Sequence, residues 1–324
     1  MSSGVSVILV NWNGKKWLER CLDSLLGQSE PPLEIVLVDN ASSDGSREWV
    51  QAFYPDVRLV EQAENVGFAR AVNAGIAVAR GREILLFNND AWVHADFLAG
   101  ITAFKRESGL DVVAPYEWDY EGRPQPRYTS RIDLLGHPMI RRRESGAIFY
   151  LPGSCLLFEK ALYQETGGLD GDFFMYCEEV DWFWRLNLYG KTFGFFDGSP
   201  LCHYGAGSSA ARLNPKIFRW RNHNTLQMLL KNYRASTLGW VLPLSALQNL
   251  AEILFFLLIF RPDIALTYPQ GWWLAAKGLP ATLRKRGPIA RRRIIGDLEL
   301  MRRMYWGPAK LSHLRRFVAE RARA

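Results

Sequence analysis

Two groups of acidic and amide side chains in this sequence could do chemistry. The members of the first group stand where apolar runs end, at Asn11, Asp39 and Asn88-Asn89-Asp90. In open α/β sheets, ligands bind beyond the carboxyl ends of the strands, so these side chains are expected to face a crevice. The alternative is that Asn88-Asn89-Asp90 is only a turn, because Asn and Asp favour turns. Polar groups at three strand ends favour the crevice.

The second group is a run of three carboxylates, Glu178, Glu179 and Asp181, among aromatic residues. On a helix, Glu178 and Asp181 share one face and Glu179 points elsewhere. Apolar surroundings raise a carboxyl pKa toward that of a useful general base. The alternative role is structural, because acids suit the first turn of a helix and Arg185 can pair with Asp181 one turn later. We expect Asp181 to be structural and one glutamate to act in chemistry.

Two further segments could contact an anion or a metal ion. Gly67 precedes a predicted helix, so a backbone can approach a ligand closely there and the first helix amides can face an anion. Arg70 can add positive charge, although an exposed arginine on a helix is more often only solvated. His203 stands before a small-residue loop with Ser208 and Ser209, which can contact a metal or a diphosphate.

The elements that must position these residues alternate between strand and helix. The first four predicted strands are Val5–Val10, Glu34–Val38, Arg58–Glu61 and Ile84–Phe87. This alternation indicates a doubly wound, largely parallel α/β sheet. The pattern loosens between Asp111 and Tyr150, where we expect a substrate-facing loop. Strand patterns return at Leu151–Phe158 and Phe193–Phe196.

Composition places the chain among globular proteins. It has 324 residues, 48% of them hydrophobic, which is enough for one large domain or two ordinary ones. The four cysteines are widely scattered without metal-like spacing, and we interpret them as reduced thiols in a cytosolic compartment. The amino-terminal residues lack a basic segment and a long apolar run, so we expect no signal peptide.

The carboxyl-terminal region differs in composition from the remainder. Residues 261–324 carry 15 Lys/Arg against 4 Asp/Glu, whereas residues 1–260 carry 25 against 29. We predict one domain over 1–232 and a basic amphipathic helical region over 233–324. Leu238–Phe260 is long enough to span a bilayer, but Glu252 and other polar residues make a full span marginal. Helices lying on an anionic membrane surface fit better. The alternative is that Leu250–Phe260 is a core or homodimer helix. No nucleic-acid recognition motif is apparent, so no nucleic-acid partner is expected.

Taken together, these segments resemble the family-2 glycosyltransferases, and within them the branch that contains rhamnosyltransferases of bacterial cell-surface polysaccharides. The resemblance covers residues 4–232 and rests on an ordered set of motifs. These motifs are Val10–Gly14, Val38–Asn40 with Ser42, Asp44 and Gly45, Asn65–Gly75, Asn88–Asp90, Gly167–Asp170, Phe173–Tyr176, Glu178–Asp181 with Arg185, and His203 through Ser208. The resemblance implies a GT-A fold, which is a Rossmann-like, mostly parallel sheet with helices on both faces.

The resemblance also implies roles for individual residues in inverting transfer from a nucleotide-sugar donor. The donor-binding candidates are Asn11, Asp39, Asn65, Gly67, Arg70, Asn73, Asn88 and Asn89, with Asp39 at the base. Asp90 and His203 would bind a divalent metal, Mg²⁺ or Mn²⁺. Glu179 falls at the catalytic base, with Glu178 and Asp181 as alternatives. The acceptor-side candidates are Gly153, Ser154 and Trp182.

The expected donor is dTDP-rhamnose, or alternatively a UDP-sugar, and the expected acceptor is lipid-linked or a polysaccharide. The enzyme would then act peripherally on the cytoplasmic face of the plasma membrane in cell-surface glycan synthesis. Two positions depart from the family pattern. The D-x-D motif reads Asn88-Asn89-Asp90, and the usual Glu-Asp pair reads Glu178-Glu179. A catalytically silent nucleotide-sugar-binding or scaffold protein is therefore the alternative function.

Overall fold

The computed structural model of the chain describes residues 4–142, 146–205, 214–307 and 309–310. The predicted loop with Ser208 and Ser209 and residues 311–324 lie outside this part. The described chain divides into two compact units, the first built from residues up to 127, 151–182 and 191–210, and the second from 128–150, 183–190 and 211 onward. The predicted boundary after residue 232 does not coincide with this division, because the helix before it belongs to the second unit.

The first unit is an α/β layer structure. Its strands are β1 (Val5–Asn11), β2 (Glu34–Asp39), β3 (Arg58–Glu61), β4 (Glu83–Asn88), β5 (Ala91–Trp92), β6 (Val112–Asp119), β9 (Cys155–Glu159) and β10 (Phe193–His203). Its helices are α1 (Lys15–Leu26), α2 (Ser46–Phe53), α3 (Phe68–Val78), α4 (Phe97–Ser108) and α5 (Lys160–Thr166). The four strands predicted before residue 90 are confirmed to within about a residue at each end.

The eight strands form one sheet in the order β3-β2-β1-β4-β9-β6-β10-β5. Strands β1 to β4 are mutually parallel, whereas β9 runs antiparallel to both of its neighbours and β5 runs antiparallel to β10. The predicted fold class is confirmed, and the sheet is mixed. Because Asn11 pairs with Asp39 and Val10 with Asn88, the ends of β1, β2 and β4 meet at one edge.

The core of this unit forms because apolar periodicity matches each element. All residues of β2 are buried, as suits a strand covered on both faces. Helix α1 buries Leu18, Cys21, Leu22 and Leu25, at spacings of three and four residues, against the sheet. Each buried leucine contributes about 1.5–3 kcal/mol relative to exposure. All four cysteines are buried free thiols, as predicted.

The prediction of a loop between Asp111 and Tyr150 is wrong. Strand β6 occupies its start, and β7 (Tyr128–Ile132) pairs antiparallel with β8 (Pro138–Arg142) further along. One of the prolines behind this prediction, Pro138, is the first residue of β8. Proline is tolerated at strand starts and edges, so it does not exclude short strands.

The second unit contains β7, β8 and the carboxyl-terminal helices. These helices are α7 (Pro215–Asn232), α8 (Ala235–Leu258), α9 (Pro262–Ala265), α10 (Thr267–Arg292) and α11 (Asp297–Met301). Helix α6 (Glu178–Leu188) begins in the first unit and ends in the second. Within the described residues, α8 is the one helix whose length and composition would allow it to cross a membrane, a test that core helices of soluble proteins also pass.

Gly67 gives a stability prediction. Its backbone has φ 84° and ψ 168°, a region open essentially to glycine alone. A Cβ there would lie 2.4 Å from the carbonyl oxygen of Phe174. Gly67→Ala should therefore lower the free energy of unfolding by more than about 2 kcal/mol, as measured by urea denaturation.

Gly109→Ala is the matched control, because Gly109 has φ 65° in the left-handed helical region and open space around its Cβ position. That variant should lose only about 1 kcal/mol. Equal losses in the two variants would contradict the role of close packing at Gly67.

Candidate active site

The ends of β1, β2 and β4 carry a connected set of polar side chains. Asn11 is fully buried and donates through Nδ2 to Asp39 Oδ1 at 3.3 Å and to the Ser42 hydroxyl at 3.1 Å. Its Oδ1 accepts from Asn89 Nδ2 at 2.7 Å. The Ser42 amide donates to Asp39 Oδ2 at 3.0 Å. The sheet thus brings together Asn11, Asp39 and Asn89, which are three of the predicted donor-binding residues.

A second group joins the end of β4 to the end of β10. His203 Nε2 lies 3.1 Å from Asp90 Oδ1 and 3.3 Å from Asn88 Nδ2. On its other side, His203 Nδ1 lies 3.6 Å from Glu117 Oε1. The Ser154 hydroxyl donates to the same Glu117 carboxylate. The residues predicted to bind metal, Asp90 and His203, are therefore in direct contact although 113 positions separate them.

Charge at this group is set by its mutual contacts. Burial alone would lower the pKa of His203, but the carboxylates of Asp90 and Glu117 raise it to about 10. Burial would likewise raise the pKa of Glu117, whereas the side chains of His203 and Ser154 hold it below its usual value. In the absence of a metal ion the group is thus an imidazolium held between two carboxylates.

Asp90 and His203 fit one divalent cation. Two ligands at right angles around an ion at about 2.1 Å lie about 3 Å apart, and Asp90 Oδ1 and His203 Nε2 are 3.1 Å apart. A carboxylate oxygen and an imidazole nitrogen are both common ligands of Mn²⁺-type ions. Within the described residues no group of three His, Cys, Asp or Glu side chains could hold a metal ion. Further ligands would have to come from elsewhere.

The three acids of α6 differ in how far they are buried. Glu178 and Asp181 are buried, whereas Glu179 is partly exposed. Burial and the neighbouring charge of Glu179 raise the pKa of Glu178 well above its usual value. Oε2 of Glu178 is buried and has no hydrogen-bond partner among the described residues. Glu178 is therefore held in its neutral form, and Glu179 is the more accessible carboxylate.

A local backbone feature sets up this division. Tyr176 and Cys177, directly before α6, have φ of 72° and 66°, in the left-handed region that residues other than glycine rarely adopt. Such strain is concentrated at functional sites. Glu179 then packs beside Gly153, where a Cβ would lie 3.4 Å from the Glu179 Cβ. Gly153 and Ser154 consequently connect Glu179 to the group around His203.

The predicted donor residues around α3 have protein partners. The amide of Phe68 donates to the Phe174 carbonyl at 2.8 Å, so protein backbone covers the amino end of α3 where an anion was expected. Asn65 Oδ1 accepts from the Gly67 amide, and Gly67 faces Phe174 instead of a ligand. The backbone at Gly67 therefore packs against the chain itself, and the role of Gly67 in donor binding stays a prediction.

Arg70 and Asn73 also face the chain itself. Arg70 Nε donates to the Gly171 carbonyl at 2.7 Å. Asn73 donates to the Leu169 carbonyl at 2.9 Å and accepts from the Tyr163 hydroxyl at 2.7 Å. Both polar ends of Asn73 thus hold neighbouring backbone and side chain in place, and its role in donor binding stays a prediction.

Trp182 is corrected as an acceptor-side residue. It is fully buried, and its ring packs edge-on against Phe158 and Tyr163 at centroid distances of 5.0 and 5.2 Å. Its Nε1 donates to the Thr166 hydroxyl at 2.9 Å. A side chain with this environment is core and has no surface for an acceptor.

Glu117 is the residue that sequence reasoning missed. It lies on β6, inside the segment predicted to be a loop, and it contacts both His203 and Ser154. The available signal was an acid between two aromatic residues, Tyr116 and Trp118, which is unusual for a solvated loop. Recognising β6 would have placed Glu117 beside β10.

The chain belongs to glycosyl transferase family 2, since the sequence model of that family matches residues 6–167. It is therefore a glycosyltransferase. The sequence is 27% identical over 272 residues to the N-acetylglucosaminyl-diphospho-decaprenol L-rhamnosyltransferase of Mycobacterium tuberculosis, which covers 74% of this chain and 87% of that protein. It is 23% identical over 196 residues to the low-salt glycan biosynthesis hexosyltransferase Agl10 of Haloferax volcanii, covering 57% and 62% of the two chains.

Solved structures share the fold. The mannosyltransferase PcManGT of Pyrobaculum calidifontis, in complex with GDP-Man and Mn²⁺, aligns over 88% of this chain and 87% of its own, with a TM-score of 0.53 and 20% identity. S. aureus TarS 1-349 in complex with UDP-GlcNAc aligns over 90% and 89%, with a TM-score of 0.55 and 19% identity. The GT-A fold expected from the sequence is thereby confirmed.

Glu178 gives a prediction about pH. Because its folded pKa is raised, the folded chain holds one more proton than the unfolded chain above the usual value of 4.5. The stability that Glu178 contributes is therefore fully present below about pH 4.5, and it is lost as the pH rises from there through the raised pKa of the folded state. Glu178→Gln stays neutral, so its free energy of unfolding should rise relative to that of wild type between about pH 5 and about pH 8.

The measurement is denaturant unfolding of both proteins at the two pH values. Exposed Glu64, changed to Gln, is the control and should show no such pH-dependent gain. A constant difference between Glu178→Gln and wild type would contradict the raised pKa.

Proposed function

We propose that this glycosyltransferase transfers a rhamnosyl group from dTDP-rhamnose, with inversion, to a lipid-linked or polysaccharide acceptor. The observation that carries the proposal is the joined edge of β1, β2, β4 and β10. There Asp90 and His203 are in contact, and the set of Asn11, Asp39 and Asn89 lies at the same strand ends. The similarity to a mycobacterial L-rhamnosyltransferase supports the sugar and the type of acceptor.

Each group at this edge has a part in holding the donor. The Asp39 carboxylate would accept from an N–H of the pyrimidine base, while Asn11 and Ser42 keep it oriented. Asp90 and His203 would hold a divalent cation, with the donor diphosphate completing its ligands. When bound, such a cation neutralises charge that develops on the leaving diphosphate. Asn88 is neutral, and its Nδ2 lies 3.3 Å from His203 Nε2, so it adds no charge to the cation site.

Glu179 is the base we assign. The acceptor hydroxyl must lose its proton as it attacks, and a positioned carboxylate must be ionised to accept that proton. Glu178 is neutral and buried, and Asp181 is fully buried, so Glu179 remains as the accessible carboxylate of the three. Its side chain lies beside Gly153, so we place the acceptor over Gly153 and Ser154.

The location follows from the two substrates. Nucleotide sugars are cytoplasmic, and a lipid-linked acceptor lies in a membrane. We therefore place the enzyme peripherally on the cytoplasmic face of the plasma membrane, acting in cell-surface glycan synthesis. The catalytically silent alternative is disfavoured by the contact of Asp90 with His203, which a scaffold has no need to keep.

The identity of the donor can be tested by its effect on the melting temperature. With Mn²⁺ present, dTDP-rhamnose should raise the melting temperature of the protein more than UDP-GlcNAc, UDP-glucose or GDP-mannose, because binding stabilises the folded state by mass action. Asp90→Asn should remove most of this rise and weaken Mn²⁺ binding followed by electron paramagnetic resonance, while circular dichroism shows the variant to be folded.

Two results would count against this assignment. If a UDP-sugar raised the melting temperature more than dTDP-rhamnose did, the proposed donor would be wrong, but the proposed site would stand. Unchanged Mn²⁺ binding by Asp90→Asn would remove Asp90 from the metal site.

Glu179→Gln should lower kcat by about 10²–10⁴-fold, because it removes a proton acceptor and keeps the size of the side chain. The donor Kd should stay near that of wild type, as measured by calorimetry. Glu178→Gln is the matched comparison and should lose much less activity, since that carboxyl is already neutral. If Glu178→Gln or Asp181→Asn lost more kcat than Glu179→Gln in a folded protein, the base would have to be reassigned.

A further inference from the structure

The exposed face of helix α8 is apolar, whereas an ordinary surface helix exposes polar side chains to solvent. Its outward residues include Trp240, Leu244, Leu247, Ala251, Leu254 and Leu258, which recur at spacings of three and four and form one stripe. Leu247, Leu254 and Leu258 are 64%, 63% and 78% exposed. No exposed residue of α8 is charged. An exposed apolar surface of this length marks an interaction site.

Apart from Ser236, the polar residues of α8 are buried or partly buried. Glu252 accepts from Gln248 at 2.9 Å, from Lys310 at 2.9 Å and from the Tyr268 hydroxyl. The buried hydroxyl of Thr237 donates to Asp297 at 2.6 Å. Glu252 is the sole ionisable residue of this helix, and its charge is paired. The residues Gln248, Asn249 and Glu252, which made a full membrane span marginal from sequence, are thus buried or partly buried within the second unit.

A basic cavity lies at the amino end of the same helix. It has a volume of about 260 Å³ and is lined by Lys231, Tyr233, Arg234, Arg286, Ile289, Ala290 and Arg293. Asp297 pairs with Arg293. Burial and the neighbouring Arg293 lower the pKa of Arg286, which shows how closely the cations are placed. An anion in this cavity would relieve their repulsion.

We propose that α8 lies with its outward stripe in the interface of an anionic phospholipid bilayer, and that the basic cavity receives a lipid phosphate. An apolar protein partner would cover the stripe but leave the cavity without an anion. An anionic bilayer supplies hydrocarbon and phosphate side by side, at the depth that an interfacial helix reaches. This proposal does not depend on the sugar that the enzyme transfers.

The apolar stripe is tested by sedimentation of the full chain with vesicles, without donor or acceptor. Wild type should bind vesicles of phosphatidylcholine with phosphatidylglycerol, and bind less at high salt. Leu247→Glu with Leu254→Glu should weaken binding at least about tenfold, because two charges would enter the hydrocarbon boundary. Phe53→Glu is the control, since Phe53 is an exposed apolar residue of the first unit, and it should bind as wild type does.

The cavity is tested at Ala290, an exposed residue of its lining. Ala290→Glu adds a negative charge, whereas Ala290→Gln adds the same bulk without charge. The Glu variant should bind anionic vesicles about fivefold more weakly than the Gln variant, which corresponds to one charge at the surface. Equal binding by the two variants, or equal binding of wild type to neutral and anionic vesicles, would overturn the role of the cavity.

Two other occupants are distinguished by the same proteins. If inorganic phosphate binds wild type but not Ala290→Glu in calorimetry, and anionic vesicles do not bind, the cavity is a site for a free anion. If sedimentation equilibrium shows a wild-type dimer that the Leu247→Glu, Leu254→Glu protein cannot form, and vesicles do not bind, the stripe is a homodimer interface. Either result overturns the proposal. Transfer to a water-soluble acceptor by the same variants reports separately on the proposed function.

Discussion

The parallel pairing of β1 with β2 on one side and β4 on the other is the constraint on which the candidate site depends. It places Asn11 opposite Asp39, and Val10 opposite Asn88. A slip of one residue in β1 would turn its apolar side chains to the other face of the sheet, so the core holds the register firmly. Polar chemistry at the strand ends is therefore positioned by apolar packing within the strands.

The same edge shows how a fold keeps buried polar groups. Asn11 is fully buried, and an unpaired amide there would be costly, so Asp39, Ser42 and Asn89 satisfy both its donor and its acceptor. Glu178 is the contrasting case, since its Oε2 is buried without a partner among the described residues. Its raised pKa follows from this burial, because an apolar environment favours the protonated form of a carboxyl group.

Helix α8 also satisfies its buried polar groups, but the side chains that it exposes are apolar. Glu252 and Thr237 are hydrogen-bonded within the second unit, whereas a stripe of leucines, including Leu247, Leu254 and Leu258, is exposed. The hydrophobic content of the helix therefore stabilises the second unit less than its composition suggests. The exposed apolar stripe, together with a basic cavity at its amino end, distinguishes α8 from a core helix.

The sequence by itself determined the elements and their class. Apolar runs with polar ends identified β1, β2 and β4, because a strand covered on both faces needs continuous apolar side chains. Alternation with helical segments then implied the α/β class, and the ordered motifs implied the family. The three neighbouring acids of α6 could also be divided by helical periodicity into a shared face and a separate one.

Only the tertiary structure decided which distant residues meet. The contact of Asp90 with His203 and the position of Glu117 depend on pairing among β5, β6 and β10, which are far apart in the chain. Local patterns carry no record of such pairing, so Trp182 could not be recognised as core and Gly67 could not be recognised as packed on Phe174. The outward direction of α8 was hidden for the same reason, because polar residues within an apolar helix do not reveal which of its faces the protein covers.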